Sequence, residues 1–87
     1  MTKSKMTPLA DEVPWSTKMT EYDEAHFVVY LRLLDASAKG ASDDDMLGII
    51  LETDPSKSRE AGLRSMRSHL KRAQWMTTDG YRGLIAE

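Results

Sequence analysis

The sequence predicts an all-α fold: a small domain of three to four helices behind a flexible N-terminal arm. Three segments carry apolar residues at helical spacing, a capping residue precedes each, and Pro or Gly marks the boundaries. The 87 residues fit one domain and include no Cys, so apolar packing alone must hold the fold. A chain of this size buries about 60–65% of its unfolded surface, which leaves a thin core. No apolar run approaches the about 20 residues of a membrane span. Lys3 and Lys5 are followed by no hydrophobic stretch, so no secretory signal is read and a cytoplasmic protein without membrane contact is expected.

Residues 1–19 read as the arm, because Pro8 and Pro14 interrupt any helix there. Trp15 beside Pro14 is its candidate anchor. The helix-turn-helix-like domain then covers 20–87. Its first helix is predicted over about Glu21–Ala38, with Thr20 as N-cap and Asp23 in a capping-box position. Phe27, Tyr30, Leu31, Leu34 and Ala38 form its core stripe, while Val29 and Leu33 lie on another face. Gly40 ends it. A second helix is predicted over about Asp43–Thr53 behind Ser42, with Asp43, Asp44 and Asp45 complementing the helix dipole. Three consecutive carboxylates point in different directions on a helix, so they do not converge on one metal ion. Pro55 makes residues 53–58 a turn, capped by Asp54 or Ser58. The third helix is predicted over about Ser58–Met76, burying Leu63, Met66, Leu70 and Ala73. Asp79-Gly80 signals a turn, and Tyr81 to Ile85 a short closing segment, helical or extended.

Charge is unevenly spread. Residues 21–54 hold nine acids against two bases, a net of −7, whereas residues 55–87 hold seven bases against three acids, a net of +4. Arg64, Arg67, Lys71 and Arg72 on the third helix are candidate DNA contacts, since a short helix, a turn and a longer basic helix make a helix-turn-helix. The acidic surface of Asp43, Asp44, Asp45, Glu52 and Asp54 opposes binding to a polyanion. The same basic residues equally fit a solvated face paired with those acids.

Catalytic motifs are missing: the only histidines are His26 and His69, and there is no phosphate loop, nucleophile elbow or paired metal-ligand spacing. No enzyme activity, metal or cofactor is expected. Protein binding remains. Val29 and Leu33, with His26, Trp75, Tyr81 and Arg82, make the candidate partner face, because Tyr, Trp and Arg most often anchor interfaces. Trp75 and Tyr81 equally fit closure of the core.

The run from His26 to Ala36, the run from Ser68 to Thr77 and Gly80-Tyr81-Arg82 resemble a widespread bacterial family, formerly catalogued as a domain of unknown function. The resemblance covers roughly residues 9–86. It implies a helix-turn-helix variant with an extended turn, placed at about Asp54–Ser58, encoded on integrative and conjugative elements. Some members are DNA-binding activators with an added N-terminal domain; others are stand-alone antiactivators. For this short acidic chain the resemblance implies the second role. It would bind such an activator, and a LuxR-type quorum-sensing regulator, by protein contact and without direct DNA binding. The basic third helix keeps a DNA-binding regulator as the alternative.

Overall fold

The computed structural model describes residues 9–80. It holds four α-helices, α1 (Glu21–Ala25), α2 (Phe27–Ala38), α3 (Asp43–Thr53) and α4 (Arg59–Trp75), then a π-helical turn over Met76–Gly80. No strand occurs among the described residues. The helix expected over Glu21–Ala38 is thus two. His26 leaves helical geometry at φ −116° and ψ 22°, its ring buried and 4.2 Å from that of Tyr22. The Tyr30 N–H still donates to the His26 carbonyl at 3.1 Å, so the ladder resumes at once.

Local chemistry sets the remaining boundaries. Thr20 and Ser42 each form a capping box, with Asp23 and Asp45 respectively, and Ser58 accepts from the Ala61 N–H at 3.1 Å. α2 ends in a Schellman motif: Gly40, at φ 80°, donates to Ser37, and Ala41 donates to Ala36, both at 3.0 Å. The turn after α3 is held by Asp54, whose Oδ1 accepts from Ser56 Oγ at 2.6 Å and from its N–H at 3.3 Å.

α4 packs against both α2 and α3. Leu9, Val29, Leu33, Met46, Ile50 and Met66 form the main core, and Tyr30, Ala73 and Met76 a smaller cluster. The face of α2 is therefore rotated from the expected one. Val29 and Leu33 are interior, while Phe27 and Leu31 are outside. Leu63 and Leu70 are only half-buried against the core. Gly62 lets α3 lie close on α4, because a Cβ there would stand 2.6 Å from a Leu47 methyl and 3.3 Å from a Leu51 methyl. Of the residues read as an arm, 9–19 run along α4, with Leu9 and Val13 buried and Trp15 edge-on to Trp75 at 5.9 Å.

Candidate functional site

Three exposed arginines of the basic helix are paired, whereas Lys71 is exposed, makes no ion pair among the described residues and lies 6.0 Å from the Trp15 ring centre. Arg59 bridges Asp44, Arg67 reaches Asp43 at 3.2 Å, and Arg64 reaches Asp11 at 3.4 Å. Asp11 also takes Lys57 at 2.7 Å, and these cations hold its carboxyl below the usual range. Glu52 instead accepts from Arg32 on α2 at 2.8 Å, Asp45 caps α3, and Asp54 holds the turn. Bonds from Ser56 lower the Asp54 carboxyl. The helical dipole and the arginines thus share the acidic surface between them.

Arg72 departs from its expected role. Its guanidinium is fully buried, donating to Asp23 at 2.6 and 3.0 Å, to the Ser16 carbonyl at 2.6 Å and to the Lys18 carbonyl at 2.9 Å. It lies 4.0 Å from the Trp75 ring centre and 4.9 Å from that of Trp15. No DNA phosphate can reach it. Burial alone would raise the Asp23 carboxyl, but bonds from Arg72, the Thr20 amide and Tyr30 outweigh it and hold it at about 2. Burial and the bond to Asp23 push the Tyr30 hydroxyl well up. Ser65, His69 and Arg72, at i, i+4 and i+7, form a buried polar stripe on α4, in which Arg72 is neither the DNA contact nor the solvated base expected of it. That spacing was the available signal.

His69 shows how the stripe works. The Ser65 carbonyl, 2.7 Å from Nδ1, only accepts, so Nδ1 carries the hydrogen. Nε2 then accepts from the Tyr22 hydroxyl at 2.6 Å. Burial drives the His69 pKa down to about 4, which keeps it neutral. His26 lies 6.1 Å away ring to ring, and its buried Nε2 has no hydrogen-bond partner among the described residues. No group of three metal-capable side chains gathers among the described residues.

The expected partner face needs correction. Val29 is 7% exposed, Leu33 0% and His26 4%, so none is offered to a partner. Val29 and Leu33 are interior because they pack in one cluster with Leu9, Met46, Ile50 and Met66, and the His26 ring lies inward beside Tyr22 and His69. Trp75 is half-buried against Arg72. Tyr81 and Arg82 lie outside the described residues. Beside Arg32 and Asp35, α2 exposes apolar side chains: Phe27 is 43% exposed, Leu31 52% and Val28 68%. Phe27 and Leu31 line a groove of about 370 Å³ whose other walls are Tyr30, Leu34, Ala73, Met76 and Thr77. No helix among the described residues is long and apolar enough to cross a membrane. Neither the known protein-family models nor the curated proteins compared with the chain give a match.

Proposed function

We propose that the chain is an antiactivator, which captures a transcriptional activator by protein contact and so represses excision and conjugative transfer of a mobile element. The partner in this reading is an activator built on the same helix-turn-helix unit with an added N-terminal domain; a LuxR-type regulator is the second partner. The resemblance to QseM-like antiactivators supplies these partners. The observation that carries the reading is an open apolar groove on α2 beside a basic helix whose arginines are already matched by Asp43, Asp44 and Asp11. An amphipathic helix of the activator suits the groove, since anchors at i, i+3 and i+4 can follow its apolar walls between α2 and the end of α4. A duplex suits the molecule less, because each arginine would have to leave a carboxylate before meeting a phosphate.

Co-purification with the activator tests this. The chain should retain it at micromolar concentration, and Leu31→Glu should weaken retention at least tenfold with the melting temperature unchanged. Absence of any complex overturns the proposal. Salt-sensitive retention of promoter DNA, lost in Arg64→Ala and Arg67→Ala, would instead establish the DNA-binding alternative.

A further inference from the structure

Residues 9–18 run along α4 as a non-helical strap, bent at 11–12 and 17–18, whose main chain makes no backbone–backbone hydrogen bond among the described residues. Side chains of the helical body hold its main-chain groups instead. Tyr22 accepts from the Ala10 N–H at 2.9 Å, and Ser65 donates to the Ala10 carbonyl at 2.7 Å. Ser68 accepts from the Val13 N–H at 2.7 Å. Arg72, fixed by Asp23, donates to the carbonyls of Ser16 and Lys18 at 2.6 and 2.9 Å. These bonds do not depend on which residues the strap carries.

The strap's side-chain contacts come from every second position. Leu9 and Val13 are buried, Asp11 between them sits against Lys57 and Arg64, and Trp15 meets Trp75 and Arg72. Main-chain hydrogen bonds for affinity, with pockets for alternate side chains, is how extended peptides are recognised. Lifting the strap would break no helical backbone hydrogen bond, and would withdraw Leu9 from the main core and uncover Val13.

We propose that this face is a docking groove for an extended segment of another protein, which residues 9–18 fill in cis. The segment would carry an apolar residue, a carboxylate, a second apolar residue and an aromatic ring at alternate positions. The occupant already seated there defines that pattern, and the Lys57–Arg64 clamp requires the carboxylate. A tethered occupant acts at millimolar effective concentration, so it lowers the apparent affinity for any competitor. The groove is separate from the apolar groove on α2, and this inference stands whether or not the antiactivator reading does.

A fluorescein-labelled peptide with the sequence of residues 9–18, followed by polarisation, tests it on the full chain. Asp11→Lys sets a cation against Lys57 and Arg64 and loosens the strap while leaving the groove intact. The peptide should bind the Asp11→Lys chain at least tenfold more tightly than the unaltered chain. A peptide with the same Asp-to-Lys change should bind at least tenfold more weakly. Equal affinity for the two chains, or no binding to an Asp11→Lys chain of unaltered helical circular dichroism, overturns the proposal. If Asp11→Lys does not fold, hydrogen exchange on the unaltered chain decides. The Ala10 and Val13 amides should exchange at least tenfold faster than those in the middle of α4, and equal protection overturns independent opening. Dimerisation of the unaltered chain that Asp11→Lys abolishes would make the occupant a second copy and overturn its assignment to another protein.

Discussion

Arg72 directs its donors to Asp23 on one side and to the strap carbonyls of Ser16 and Lys18 on the other, so one side chain joins α1, α4 and residues 16–18. Removing it strands a buried carboxylate. Arg72→Ala should cost about 3–5 kcal/mol of unfolding free energy, measured by urea titration. Acid should act on the same network in two stages. His69 has its pKa lowered from 6.5 to about 4, so the unfolded chain takes up a proton first, and stability falls as the pH drops from about 6.5 to 4. Asp23 is lowered from 3.8 to about 2, so its contribution, intact above about 4, is lost as the pH falls further towards 2. Thermal melts across pH 7 to 3 should show the first decline, and His69→Phe should shrink it, the remainder belonging to His26, whose pKa burial also lowers.

The helices differ in how far their own residues determine them. α3 and α4 begin where Ser42 and Ser58 place them, because a cap is local chemistry that sequence displays. The orientation of α2 was not legible. Its run Phe27–Leu34 is apolar around most of its circumference, and residues distant in sequence, Leu9, Met46, Ile50 and Met66, decide which side is interior. The break at His26 was hidden for the same reason, since its ring is drawn inward beside Tyr22 and His69. The partner residue of Arg72 lies 49 positions away, so composition along α4 showed a basic helix where packing makes an ion pair. Two substitutions on α2 check its orientation by chemical denaturation. Leu33→Ala should destabilise by about 2–5 kcal/mol, as a core truncation does. Leu31→Glu, on the exposed side, should stay within about 0.5 kcal/mol of the unaltered chain.

Across the molecule, opposite charges are folded onto each other. Asp43 and Asp44 at the start of α3 face Arg67 and Arg59 on α4, and the formal net charge is −2. Exposed pairs of this kind contribute only about 0–1 kcal/mol each to stability, so their larger effect is on what the surface attracts. Changing Asp43, Asp44 and Asp45 together to Asn moves the formal net charge from −2 to +1. That chain should shift duplex DNA at low ionic strength, with retention fading towards about 0.15 M salt. The unaltered chain should not shift it in a parallel gel. The matching of these charges is also a matter of clearance. α3 rests where α4 presents hydrogen instead of carbon, at Gly62. A methyl group there would press on the end of the Leu47 side chain, which must turn aside to admit it, so a change with no charge of its own would disturb the packing beneath the paired charges.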